Sequence, residues 1–287
     1  MPSIEAPLTL VLTRRCDLRC GYCPQSFARR DMSPTVLEAA VDRLLGRMAA
    51  GAPVKLFGGE PLLVPRSVRR AVELINEVAP GRRIELPTNG RALDGEMLRF
   101  LRTRPHVEVS LSRPSSAAAR LPNVAANFLF FPGEQAAAAA HRLASWIAGG
   151  LRRFNFLPVY YARWTPGELD ELGRALAAAG RVISRLSARG HAVEVVNARR
   201  IGPAPLYNGG VAVDTDGKIY ASNLFLAKAV EPRRAALKIG DVMRAGALRQ
   251  APSGRAVLDL ARRCFAPDVM NSTLAADGML TEFVHGL

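Results

Sequence analysis

The stretch RRCDLRCGYCP, residues 14–24, places Cys16, Cys20 and Cys23 within eight residues of a chain that holds four cysteines in all. Spaced as C-x3-C-x2-C, the thiols are too crowded to staple a fold by disulfides, and clustered thiols of this kind are a metal-ligand pattern. Zinc modules come as two C-x2-C pairs, or as a cysteine pair with a histidine pair. His106, His141, His191 and His285 stand far from the cysteines and from one another, so the pattern argues against zinc. Three thiolates can instead hold three irons of a [4Fe-4S] cube, leaving the fourth iron open to an exogenous ligand.

The rest of the 287-residue chain is 49% hydrophobic, enough for one large domain or one domain with a smaller appendage. The N-terminus has no basic stretch followed by a long apolar one, and no apolar run reaches a membrane span, so a soluble cytoplasmic protein without membrane contact is expected. A net charge of +14 raises the question of nucleic acid. Only Lys55, Lys218, Lys228 and Lys238 among the 39 basic residues are lysines, and the arginines recur along the whole chain as in a GC-rich genome. Their densest pairs (29–30, 82–83, 152–153 and 199–200) are far apart and read as solvated faces, not as a nucleic-acid stripe.

Outward from the cysteines, LTLVLT (8–13) reads as a strand. Ser33-Pro34 then caps a helix to about residue 49, and VKLF (54–57) is a second strand before an amphipathic helix over 66–78. The alternation continues with a strand at 83–86, a helix at 93–103, strands at 107–111 and 127–131, a helix at 134–148 and a strand at 153–161. Thr165 and Glu168 form a capping box that opens a helix to about residue 178. Six strands alternating with helices predict an α/β fold, a partial (β/α)6 barrel with ligands at the C-terminal ends of its strands. The prolines between 112 and 127 predict an irregular connection there. After residue 190 the pattern changes to AVEVV, then to a hairpin turning at Asp216-Gly217, a helix near 255–263 and an ill-defined tail. A division into residues 1–195 and a small α+β C-terminal domain, 196–287, is expected.

The three-cysteine loop after the first strand, with Tyr22 before its last cysteine, is followed in order by FGGEP (57–61) after the second strand and by TNG (88–90) after the third. In this it resembles the radical S-adenosylmethionine (radical SAM) superfamily over roughly residues 7–165. The resemblance implies that Cys16, Cys20 and Cys23 hold one [4Fe-4S] cluster, whose open iron is chelated by S-adenosylmethionine (SAM). Reductive cleavage would give methionine and a 5′-deoxyadenosyl radical that abstracts hydrogen from substrate. Gly58 and Gly59 allow close approach of a ligand, Glu60 offers an anionic acceptor to the methionine ammonium, and Pro61, Thr88 and Asn89 complete the segment. On this reading a bulkier residue at Gly59 blocks SAM while leaving the thiolates untouched. Further SAM contacts are implied for Ser110, Asn127 and the backbone at Leu157, with Tyr22 against the adenine; Ser110 and Asn127 read equally as polar residues closing strand ends. Tyr160, Tyr161 and Trp164 read as packing or as the lining of a substrate pocket.

The segment YNGGVAVDTDGKIYASNLFL (207–226) resembles the C-terminal SPASM or twitch extension of peptide- and protein-modifying radical SAM enzymes. There, a cysteine normally precedes and another follows the hairpin; here those places hold Tyr207 or Asn208 and Ser222 or Asn223, so no auxiliary cluster is expected. Cys264 reads as an inert buried thiol or, by resemblance to radical SAM peptide epimerases, as a hydrogen-atom donor. A peptide or protein substrate is thus expected, with an external electron donor such as flavodoxin or ferredoxin, and with no separate leader-binding module ahead of Leu8. The alternatives are a small metabolite, RNA, or a non-catalytic iron-sulfur partner protein.

Overall fold

The structure, a computed structural model, describes residues 7–198 and 210–287. In chain order its main elements are β1 (Leu8–Thr13), α1 (Pro34–Leu44), β2 (Val54–Gly58), α2 (Pro65–Val78), β3 (Ile84–Thr88), α3 (Gly95–Arg102), β4 (Val107–Leu111), β5 (Val124–Phe130), α4 (Ala136–Ala148), β6 (Arg153–Pro158), α5 (Pro166–Ser187), β7 (Glu194–Val195), β8 (Val211–Val213), β9 (Lys218–Tyr220), β10 (Lys238–Asp241), α6 (Gly254–Cys264) and α7 (Pro267–His285). They gather into two compact units, one formed by Met1–Val109 with Tyr207–Cys264 and the other by Ser110–Leu206 with Phe265–Leu287. The division expected at 195/196 follows the sequence pattern, whereas these units follow packing.

In the first unit β1 pairs in parallel with β2, and β2 with β3. All six β1 residues are buried, as in a strand covered on both faces, and its only polar members, Thr9 and Thr13, are buried with the rest. The flanking strands β2 and β3 alternate buried and half-buried positions. The Ser33 hydroxyl accepts from the Val36 N–H at the start of α1 and Asp94 does the same for Met97 at α3, so both helices begin where their caps dictate. The hairpin β8–β9 turns at residues 214–217 with Gly217 at φ 81°, and β8 pairs in parallel with the free side of β1. The C-terminal hairpin is therefore an extension of the β1 sheet, and β10 adds antiparallel to β9.

In the second unit β5, β6 and β7 pair in parallel. Phe128, Phe130 and Phe156 point to one core, with ring centroids 5.2 to 6.1 Å apart. The capping box at Thr165 and Glu168 is present, and α5 runs on to Ser187, well beyond the expected end. The expected tail is instead the 19-residue helix α7. Its apolar periodicity is interrupted because part of its buried face is polar. Ser272 and Thr273 accept backbone N–H groups of Trp164 and Tyr161 at 3.1 Å each, and Asp277 accepts the Tyr160 hydroxyl at 2.8 Å. Tyr161 stacks on Phe265 at 4.4 Å and the Trp164 indole donates to the Val159 carbonyl at 3.0 Å, so within this unit these aromatics pack. Between β4 and β5 there is no crossover helix, only the short 3-10 turn Ala118–Arg120. Among the described residues no helix is long and apolar enough to cross a membrane.

Candidate functional site

Three loops leave the C-terminal ends of the adjacent parallel strands β1, β2 and β3, the end at which α/β sheets present ligands. The first carries Cys16, Cys20 and Cys23, all free thiols and half-buried. Backbone donors face the sulfurs: the Leu18 N–H lies 3.4 Å from Cys16 Sγ, and the Gln25 N–H bonds Cys23. Burial pushes the Cys16 and Cys23 thiols above their usual range against these N–H groups, which favour the thiolate. Among the described residues no three His, Cys, Asp or Glu side chains converge to hold a single metal ion. Three unbridged thiols, two of them with N–H donors at sulfur, fit an iron-sulfur cube, which takes each thiolate at a separate iron, and binding would displace the thiol protons.

The second loop begins at Gly58 and Gly59. The Gly59 N–H donates to the Thr13 carbonyl at 3.0 Å and the Glu60 N–H to the Arg15 carbonyl at 2.8 Å, so the β1–β2 ladder runs on into the cysteine loop. A Cβ at Gly58 would stand 2.3 Å from Thr13 O, and one at Gly59 would stand 2.2 Å from Arg15 O and 3.0 Å from Cys16 Cβ. The glycines thus serve the approach of backbone to backbone. The expectation that a larger residue at Gly59 leaves the thiolates untouched is overturned, because Cys16 is its neighbour.

Glu60 is 1% exposed. Its Oε1 accepts the Leu62 N–H at 2.9 Å and the Thr88 hydroxyl at 2.7 Å, and its Oε2 accepts the Asn89 N–H at 2.7 Å. The carboxylate that the sequence offered to an ammonium group is thereby engaged as a brace between the second and third loops, and Pro61 opens a buried 3-10 turn behind it. Asn89 completes the frame: its Nδ2 donates to Asp17 Oδ1 at 2.7 Å, inside the cysteine loop. Asp17 carries no motif signal, and its partner lies 72 residues away, so sequence reading missed it.

Desolvation pushes the Glu60 carboxyl above its ordinary value, against the pull of its three donors. A raised folded pKa means that the folded form holds the proton more tightly than the unfolded chain. The resulting stability is complete below the unfolded value and is lost as pH rises through the folded one. Glu60→Gln is expected to remove this pH dependence from urea unfolding of the apo protein. It should also cost about 1–3 kcal/mol, since an amide NH2 then faces a buried N–H.

Tyr22 lies on the cysteine loop and is 37% exposed. Ser110, Asn127 and Leu157 belong to the second unit. Ser110 sits on β4, Asn127 on β5 accepts from Asn155 Nδ2 at 3.0 Å, and Leu157 on β6 pairs with Leu129. Cys264 ends α6, half-buried. Tyr207 and Asn208 lie outside the described residues, as do Arg199 and Arg200, while Ser222 is buried and caps the turn Asn223–Leu226 through the Leu224 N–H.

A cysteine loop, a diglycine loop and a third loop locked together on neighbouring parallel strands define a class of protein. Residues 10–126 match the profile of the Radical SAM superfamily, so the chain carries a radical SAM domain over this stretch and is an enzyme. Its fold, mixed α/β with a parallel sheet, is similar to that of anSMEcpe with bound AdoMet, at 16% identity and a TM-score of 0.64 over 91% of this chain and 80% of that one. The same protein with AdoMet and Kp18Cys peptide gives 15% and 0.60 over 93% and 83%. SuiB from Streptococcus suis bound to S-adenosylmethionine gives 13% and 0.61 over 94% and 68%. SuiB bound to precursor peptide SuiA gives 13% and 0.58 over 94% and 67%. At these identities the likeness is one of fold. No curated protein matches the sequence.

Proposed function

We propose that the chain reductively cleaves SAM and uses the resulting 5′-deoxyadenosyl radical to abstract hydrogen from a peptide or protein substrate. The observation that carries the reading is the cross-bracing of the cysteine loop by Gly59, Glu60 and Asn89. A [4Fe-4S] cluster on Cys16, Cys20 and Cys23 supplies the electron and a coordination site for the SAM amino and carboxylate groups. The chain's own part is to hold the loops in register. The Gly59 and Glu60 N–H groups are spent on Thr13 and Arg15, and the Glu60 and Pro61 carbonyls on the Leu63 and Val64 N–H groups, so the Gly59 carbonyl is assigned to the SAM ammonium. Thr88 and Asn89 fix that segment from the other side. Tyr22, Ser110, Asn127 and the Leu157 backbone are assigned the outlying SAM contacts.

A peptide substrate is supported by the fold shared with SuiB and anSMEcpe, both solved with peptides. The hairpin β8–β9 is assigned to a SPASM-like C-terminal domain, 196–287, without an auxiliary cluster, and the electron donor is a separate protein of the flavodoxin or ferredoxin kind. A cytoplasmic location is proposed with it, as reduced donors and cluster thiols need a reducing compartment. Anaerobically reconstituted protein with SAM and dithionite should release 5′-deoxyadenosine; its absence at full cluster loading would refute the reading.

One cluster per chain is part of the proposal. Reconstituted protein should hold about four irons and about four sulfides, and Cys264→Ala should hold the same. Eight irons per chain, or a second spectroscopic cluster that survives loss of the three N-terminal cysteines, would refute the single-cluster assignment.

A further inference from the structure

The three-cysteine loop is closed by the residue that begins it. Arg14 Nη2 donates to the Ser26 carbonyl at 3.2 Å and to its hydroxyl at 2.8 Å, so one guanidinium ties together the two ends of the segment holding Cys16, Cys20 and Cys23. Arg14 is itself held from the C-terminal hairpin. Its Nη1 lies 3.5 Å from Asp214 Oδ2, with the two side chains 3% and 0% exposed, and Arg30 Nη2 lies 3.5 Å from the same oxygen. The other Asp214 oxygen takes the Thr215 N–H at 2.8 Å. Among the described residues Asp214 Oδ2, Arg14 Nη1 and Arg14 Nε have no hydrogen-bond partner, so charge rather than close hydrogen bonding joins the trio.

The segment that follows the hairpin also grips the loop through the backbone. Ser26 N–H donates to Leu226 O and Lys228 N–H to Pro24 O, both at 2.8 Å, and Gln25 bridges Ala227. Phe225, fully buried, lies under the Arg14 guanidinium at 5.7 Å. A buried carboxylate between two arginines is a costly arrangement, and removing one member leaves an uncompensated charge. Here its position is specific: it fixes the side chain that clasps the cysteine loop.

We propose that Asp214 is the positioning residue of this loop, setting through Arg14 the placement of the three thiols at which a cluster accepts SAM. The proposal rests on the radical SAM reading. It assigns the hairpin a task that needs no metal of its own, which is to complete the loop that binds the cluster.

The test compares wild type, Asp214→Asn and the surface control Asp259→Asn after anaerobic reconstitution. Iron is counted, and the electron paramagnetic resonance of the reduced cluster is titrated with SAM. Asparagine keeps the shape of the side chain and removes the charge facing both guanidinium groups. Asp214→Asn should lose most of its iron, and the cluster that remains should need about tenfold more SAM or above for the spectral change, while Asp259→Asn matches wild type. Hydrogen exchange of apo Asp214→Asn should quicken over residues 14–28 while β2 and β3 keep their protection, a pattern that general destabilisation does not give. Full iron with an unaltered SAM titration in Asp214→Asn overturns the proposal and leaves the radical SAM reading standing. A wild-type cluster that ignores SAM overturns both. If Asp214→Asn does not fold, Arg14→Met/Asp214→Leu removes both charges of the pair and should fold yet lack the SAM response. A wild-type response from that variant, or its failure to fold, assigns the trio to general stability and overturns the proposal.

Discussion

Alanine at any one of Cys16, Cys20 or Cys23 is expected to abolish both the brown colour of the reconstituted protein and the formation of 5′-deoxyadenosine. Three thiolates are the minimum with which a chain can hold a cube whose fourth iron stays open, and outside this loop the sequence contains only Cys264. No spare thiol can step in from the same loop. The apo fold should survive each substitution, because the half-buried thiols contribute little to the core and the loop is held by Arg14 and by the backbone ladder to residues 226–228. Circular dichroism and iron content, measured together, check this. Full turnover by any single variant would remove the basis of the proposed function.

Gly59→Val is expected to be nearly as severe, and for a reason that the motif alone does not supply. A Cβ there would meet the Arg15 carbonyl at 2.2 Å and Cys16 Cβ at 3.0 Å, and the carbonyl belongs to backbone that cannot rotate aside. Valine adds branching beyond that Cβ, and ordinary overpacking already costs about 1–3 kcal/mol. The strand end must move, and Cys16 moves with it. Gly59→Val should therefore lose cluster as well as SAM binding, whereas Gly21→Ala, where a Cβ would meet nothing within 4 Å, should keep its iron. Wild-type iron content in Gly59→Val would show that the loops separate more easily than their hydrogen bonds imply.

Much of this was legible in the sequence because the informative signals are local. The strand at 8–13, the proline and serine that start α1, and the capping box at Thr165 each involve residues within a few positions of one another, and the structure reproduces all three. The order of the cysteine, GGEP and TNG segments likewise follows the order of the strands that carry them. What could not be read depends on partners distant in the chain. Nothing near Glu60 shows that Thr88 and Asn89 will occupy its carboxylate, and nothing near Asp17 points to Asn89. Helix α7 has no clear apolar periodicity because Ser272, Thr273 and Asp277 occupy inward positions of the helix. The pairing of β8 with β1 has no sequence signal, since each strand reads equally well as a member of its own local hairpin or βαβ unit.

That pairing also bears on the order in which the protein is made. The Ser26 hydroxyl and the Leu226 carbonyl it meets are 200 residues apart, and contacts of such separation form late, after the loop-closure entropy has been overcome. The thiols emerge from the ribosome among the first residues, but residues 226–228, which bond the backbone of their loop, emerge only after three-quarters of the chain. A growing polypeptide thus presents its cluster ligands long before it can fix them. Iron delivery to the finished chain, not to the nascent one, is what this topology favours, and a fragment ending before β8 would keep every ligand and lose the framework that makes them a site.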